Sequence, residues 1–189
     1  MKIGVFGGLF DPPHIGHLII AQHVFEEFHL NRILFVPSGN PPHKSNYSPY
    51  TDRYEMTGLA IAQNGDFAVS DIEKRISETT YTIETIKALR EQTTDELYLM
   101  IGSDQWLEIE TWKEPEELFR ECRIVVMRRS HHEIRKESKF FDRVMISTAP
   151  LIDVSSTMIR SRIQKGLSVR YLVEPAVSDY IIQKELYKT

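Results

Sequence analysis

An open, doubly wound α/β sheet with helices on both faces is the fold this sequence predicts, and three observations predict it. Six short β-branched or aliphatic runs recur along the 189 residues, most of them continuous rather than alternating, as parallel strands covered on both faces are. Segments with the period of a helix lie between them. The first run ends on the glycine pair Gly7-Gly8, at the strand end where such sheets bind ligands.

In chain order, strands are expected at 2–6, 32–36, 67–70, 96–101, 123–127 and 143–146. A helix over 15–28 turns Leu18, Ile19, Ala21, Val24 and Phe25 toward one side, and a helix over 50–63 does the same with Tyr54, Met56, Leu59 and Ile61. Helical patterns follow at 81–91 and 114–120. A helical carboxy-terminal portion, about 155–189, contains helices over 155–165, stopped by Gly166, and over 175–186. The segment 128–139 is polar and aperiodic at its start and reads as a surface excursion. No composition shift divides the chain, so residues 1–189 are expected to form one domain.

Hydrophobic residues make up 41% of the chain and charged residues 26%, ordinary values for a globular protein. A net charge of −4 speaks against general nucleic-acid affinity, which needs a basic face. An anionic ligand must therefore meet a locally positive site. The single cysteine, Cys122, excludes a disulfide within the monomer and a cysteine-based zinc site, and its apolar surroundings predict a small buried thiol. No apolar run approaches the ~20 residues of a membrane span, and a cytoplasmic location without a membrane partner is expected.

The stretch Gly7-Gly8-Leu9-Phe10-Asp11-Pro12-Pro13-His14-Ile15-Gly16-His17 carries the chemistry. The glycine pair lets a phosphate approach main-chain N–H groups, and Asp11-Pro12-Pro13 sets the turn into a helix whose positive end points into the same space. It is neither a Walker A loop nor Gly-x-Gly-x-x-Gly. In their place stand His14 and His17, on one face of a helix start, able to donate hydrogen bonds to phosphate oxygens and, when protonated, to offset charge developing in a transition state. Zinc is the rival use of such a pair, but His43, His131, His132 and Asp104 stand at no helpful spacing for further ligands, and no protein-held metal is expected. Near the other end, Val154-Ser155-Ser156-Thr157-Met158-Ile159-Arg160 supplies three hydroxyl residues able to cap a helix beginning near Thr157, with Arg160 one turn in.

Together these segments resemble the two signature motifs of the nucleotidyltransferase superfamily, in the right order. Within it the chain is most similar to the bacterial nicotinate mononucleotide adenylyltransferases. Pro37 to Lys44, Asp71-Ile72-Glu73 to Tyr81-Thr82, Ile101-Gly102-Ser103-Asp104 and Thr111-Trp112 extend the likeness over nearly the full length. The resemblance implies that ATP lies over Gly7, Gly8 and Phe10, with its phosphates near His14, His17, Ser156 and Arg160. Gly102 and Asp104 would face the sugar and base. Asn40, His43 and Lys44 would sit over the reacting phosphates or the mononucleotide. Thr82 and Trp112 would form the nicotinate pocket, the indole stacking on the pyridine ring. His14, His17, Lys44 and Arg160 would act in catalysis. Lys44 conforms to the basic residue expected there, whereas Arg128 to His132 matches no motif and leaves product contacts on that side open. Trp106 is expected in the core.

The implied reaction is ATP plus nicotinate mononucleotide giving deamido-NAD and pyrophosphate. The acceptor phosphate is already a nucleophile at neutral pH, so no activated Ser or Cys is needed. Mg²⁺ would ride on the ATP phosphates. Main-chain N–H groups around Thr82 only donate, which favours a carboxylate over a carboxamide. Another acceptor (nicotinamide mononucleotide, phosphopantetheine or a polyol phosphate), a non-catalytic nucleotide sensor and an RNA-binding descendant are the alternatives. The oligomeric state is left open, a homodimer being one option.

Overall fold

The computed structural model describes residues 1–41, 46–76, 79–130 and 133–188. Its strands are β1 (Lys2–Gly8), β2 (Arg32–Pro37), β3 (Phe67–Val69), β4 (Glu96–Gly102), β5 (Arg123–Met127) and β6 (Val144–Ile146). They form one sheet in the order β3-β2-β1-β4-β5-β6, with every neighbouring pair parallel. The order reverses between β1 and β4, which opens a crevice at their carboxyl ends.

All six expected strands are present, and the two central ones run further than expected. Gly7 and Gly8 pair in register with Val36 and Pro37, so the glycines are the last rungs of β1 rather than part of its turn. Gly102 likewise closes β4 opposite Met127. Glycine breaks the apolar pattern but not the hydrogen-bond ladder, which is why the sequence places both ends too early.

The helices are α1 (Ile15–Glu27), α2 (Tyr50–Ile61), α3 (Ile72–Arg75), α4 (Thr82–Arg90), α5 (Ser103–Leu107), α6 (Pro115–Glu121), α7 (Ser156–Gln164) and α8 (Pro175–Gln183). At four and five residues, α3 and α5 are too short to produce a period, and the sequence does not predict them. Successive strand residues point to opposite faces, which divides the core in two. Phe6, Phe35, Tyr98 and Met100 meet Ala21, Val24, Met56, Ile159, Val177 and Ile181 from α1, α2, α7 and α8. Val5, Val36, Leu97, Leu99 and Ile101 meet Ile72, Ile83, Trp106 and Leu118 from α3 to α6. At about 1.5–3 kcal/mol for each fully buried apolar side chain, Ile159 alone holds α7 firmly beside the end of β1.

Three expectations about single residues change or hold here. Ile19 does not join the core face of α1 but is 37% exposed, because Leu18, Ala21 and Val24 already fill the arc that faces the sheet. Trp106 is fully buried and donates its indole N–H to the Arg135 carbonyl at 2.8 Å, which ties down the excursion after β5. Cys122 is buried, its thiol donates to the Leu118 carbonyl at 3.2 Å, and burial pushes it up to about 12.

Candidate active site

The end of β1 is bare on one side and floored on the other. A Cβ at Gly7 would meet nothing within 4 Å, whereas one at Gly8 would lie 3.0 Å from the Phe10 ring. Phe10 itself takes a left-handed backbone (φ 49°), which turns its ring beneath the glycines. There it is buried edge-on to Phe6 at 5.7 Å and to His17 at 5.1 Å. Its buried ring therefore supports His17 and Gly8.

His14 and His17 stack, with ring centroids 3.6 Å apart and planes 25° from parallel. The His14 main-chain N–H donates to His17 Nδ1 at 3.1 Å, so that nitrogen is an acceptor and the imidazole proton sits on Nε2. Gly16 makes the stack possible, since a Cβ there would press on His14 Nδ1 at 3.1 Å. That Nδ1 is buried and has no hydrogen-bond partner among the described residues.

The electrostatics correct one expectation. Burial, with Arg129 adding to it, pushes His14 down to about 4. Burial, then His14 and Arg129, hold His17 well below the usual histidine range. Burial thus favours the neutral form of both imidazoles at neutral pH. A stability prediction follows from the sign. Below about pH 6.5 the unfolded chain protonates these histidines and the folded one does not, so stability is full above that pH and is lost as pH falls toward 4. For His14 the loss amounts to about 3 kcal/mol. Urea unfolding of wild type and His14→Asn from pH 7 to pH 4.5 is expected to show a shallower acid decline in the variant, and parallel declines would refute it.

The second motif docks on the first. Ser155 caps α7, its Oγ accepting the Met158 N–H at 3.2 Å. Ser156 Oγ donates to the Pro12 carbonyl at 2.8 Å, and Arg160 Nη1 donates to the Asp11 carbonyl at 2.7 Å. Arg160 Nη2 also reaches Thr157 Oγ1 at 3.3 Å. The amino terminus of a nine-residue helix and a guanidinium thus converge on the Asp-Pro turn, whose Asp11–Pro12 peptide is cis.

At the end of β4, Asp104 pairs with Arg129, Oδ1 to Nε at 3.1 Å. The pair crosses directly over Gly102, where a Cβ would fall 2.2 Å from Asp104 Oδ1 and 2.6 Å from Arg129 Nε. Asp104 does not cap α5; Gln105 does, its Oε1 accepting the Gly102 N–H at 3.0 Å. Arg129 is a candidate site residue to which the sequence reading assigned no role. Its cue was a basic pair just past the end of β5, and its effect on both imidazoles places it on their side of the crevice.

The remaining expected residues gather beside β2 and α4. The Asn40 carbonyl accepts the Thr80 N–H at 3.1 Å. Glu73, also missed, joins Gly39 N–H (3.0 Å) to the Thr85 hydroxyl (2.8 Å) through its two carboxylate oxygens. Thr82 is the first residue of α4, behind the N-cap Tyr81, whose N–H the Glu84 carboxylate accepts at 3.0 Å. Trp112 is half-buried against the core on the α3–α6 side of the sheet, and its neighbour Lys113 pairs with Glu84 of α4 at 2.6 Å. His43 and Lys44 lie outside the described residues, as do His131 and His132.

Comparison with known proteins agrees with this geometry. Residues 5–162 match the cytidylyltransferase-like family model. A probable nicotinate-nucleotide adenylyltransferase of Caldicellulosiruptor saccharolyticus is 40% identical, with all of both chains covered. One from a Synechococcus species is 42% identical, covering 98% of this chain and 94% of that protein. Among solved structures, a Plasmodium falciparum nicotinic acid mononucleotide adenylyltransferase complexed with NaAD superposes with a TM-score of 0.83 at 24% identity, covering 98% of this chain and 97% of the other. That likeness shows the fold; the full-length identities show the kinship. With both motifs joined at the end of β1 and relatives of that closeness along its whole length, this chain belongs to the nicotinate-nucleotide adenylyltransferase family of cytidylyltransferase-like proteins.

Proposed function

We propose that this protein transfers AMP from ATP to nicotinate mononucleotide, producing deamido-NAD and pyrophosphate for NAD biosynthesis. The observation that carries the reading is the docking of α7 on the Asp11-Pro12 turn, which ties Ser156 and Arg160 to the segment that leads into the stacked imidazoles. An oxygen of the mononucleotide phosphate attacks the α-phosphorus of ATP. A P–O bond forms there, the bond from the α-phosphorus to the bridging oxygen breaks, and pyrophosphate departs with the electron pair. No proton need be removed from the nucleophile, so the site's task is alignment and charge stabilisation.

Neutral His17 suits that task as a donor, since its Nδ1 is occupied and its Nε2–H is not consumed by that bond. Arg160 and Arg129 supply fixed positive charge from two sides. Gly7, Gly8, Gly102 and Asp104 border the space for ATP, and Asn40, Thr82 and Trp112 border the space for the acceptor, with Lys44 and His43 assigned by family resemblance. Among the described residues no three His, Cys, Asp or Glu side chains converge on a metal site. The residues present fit a Mg²⁺ carried by the ATP phosphates, where it neutralises charge on the departing pyrophosphate.

We take residues 1–189 as one nucleotidyltransferase domain, because α7 and α8 share a core with β1, β2 and β4. Among the described residues no helix is long and apolar enough to cross a membrane. We read the activity as cytoplasmic and directed at small anions, without a nucleic-acid partner, on the acidic balance of the chain.

The acceptor is tested by pyrophosphate release with ATP and, in parallel, nicotinate mononucleotide, nicotinamide mononucleotide and phosphopantetheine. Fastest turnover is expected with the acid mononucleotide. Equal or faster turnover with either of the others would overturn the substrate assignment, and ATP binding without pyrophosphate release in any arm would overturn catalysis itself.

A further inference from the structure

Arg53 on α2 is fully buried, although charged side chains rarely are without a purpose for each donor. Its three nitrogens donate to three main-chain carbonyls: Leu9 at 2.9 Å, Ser38 at 2.8 Å and Ser48 at 2.9 Å. None of the three belongs to the interior of a strand or helix. Leu9 follows the glycine pair, Ser38 leaves β2 toward Asn40, and Ser48 leads into α2. A planar guanidinium, with five donors in a fixed fork, satisfies three diverging carbonyls at once; an ammonium cannot keep the same geometry.

Asp11 closes the arrangement from the other side. It is buried, and its carboxylate accepts the Ser48 N–H at 3.2 Å and the Tyr187 hydroxyl at 2.6 Å. Ser48 is thus held by its N–H through Asp11 and by its carbonyl through Arg53. Asp11 also supplies countercharge to the buried guanidinium. Tyr187 reaches it from the carboxy-terminal tail, where both Glu185 (φ 54°) and Tyr187 (φ 64°) take left-handed backbone conformations that non-glycine residues keep only when their contacts enforce them. Burial and the Asp11 bond raise the Tyr187 phenol far above its ordinary value, so it stays a donor.

We propose that Arg53 and the Asp11–Tyr187 pair form one positioning unit, which fixes the phosphate loop against the segment carrying Asn40 and so aligns donor and acceptor. The inference rests on the adenylyl-transfer reading. Arg53 and Tyr187 are positioning residues: they act through the main chain of Leu9, Ser38 and Ser48 and through Asp11. A frame that served folding alone would, when weakened, lower the thermal midpoint and leave the affinity for either substrate unchanged. One that sets the distance between two substrates would not, since an error of about 1 Å at reacting atoms costs ~10²-fold in rate.

The test compares wild type, Arg53→Lys and Tyr187→Phe in steady state with ATP and nicotinate mononucleotide, alongside thermal midpoints. Arg53→Lys is expected to lower kcat/KM for the mononucleotide about 10²-fold. Tyr187→Phe, which removes one hydroxyl and keeps the ring, is expected to lower it about tenfold. In both, the KM for the mononucleotide rises. A loss of folded protein scales kcat and leaves both KM values unchanged, so that pattern, or unchanged kinetics, overturns the proposal. Should Arg53→Lys fail to fold, Tyr187→Phe decides alone. Inactive wild type would instead strike the adenylyl-transfer reading, and active wild type with unaltered variants strikes only this inference.

Discussion

His17→Ala lowers kcat about 10²–10³-fold, the ~3–4 kcal/mol that removal of one charge-stabilising donor typically costs. The magnitude follows from losing the Nε2–H that the ring has free once its Nδ1 accepts the His14 N–H. His14 stacks face to face on it, with Nδ1 buried and unpartnered. Phe6 and Phe10 hold the ring edge-on at 5.9 Å and 5.1 Å, so its direction is set before substrate arrives. Losing the ring also frees the His14 N–H, which loosens the start of α1. The fold survives, because His17 borders the core rather than filling it. The discriminating measurement is single-turnover adenylyl transfer with saturating substrates, beside the circular dichroism spectrum. A folded variant with near-wild-type turnover would remove His17 from the chemistry.

Arg160→Ala produces a loss of the same order, about 10²–10³-fold in kcat, for a different reason. The guanidinium is the cation that α7 brings to the Asp-Pro turn, where Nη1 donates to the Asp11 carbonyl. Truncation removes positive charge from the Asp-Pro turn and leaves the Asp11 carbonyl without its donor. Ser155 still caps α7 and Ser156 still reaches Pro12, so the helix keeps its place. Arg160→Lys restores charge without the fork and is expected to recover part of the rate. The reverse reaction, from deamido-NAD and pyrophosphate, must fall in kcat/KM by the same overall factor, because the equilibrium is unchanged. A loss of kcat confined to one direction, with kcat/KM falling in both, would point to an altered rate-limiting step instead.

How far the site was legible depended on the kind of signal each residue left in the chain. The two motifs were legible because glycine, proline and helix-capping hydroxyls act on the backbone nearest to them. Arg129 was not, because an exposed arginine beside another arginine looks like any solvated pair until Asp104 is seen paired with it and its charge bears on both imidazoles. Arg53 was hidden among the apolar positions of α2, where a charged residue suggests the solvent face.

The sequence by itself determined six parallel strands, their connecting helices, the glycine-histidine turn and the Ser-Ser-Thr-x-x-Arg helix start, all set by local backbone preference and hydrophobic period. Only the tertiary structure decided that the histidines are neutral, that α7 lands on the Asp11-Pro12 turn, and that Arg53, Asp11 and Tyr187 meet. Protonation depends on desolvation, and desolvation depends on what packs above a side chain. Residues 11, 53 and 187 become neighbours only when α2, α8 and the carboxy-terminal tail close over the end of β1, and no spacing along the chain encodes that contact.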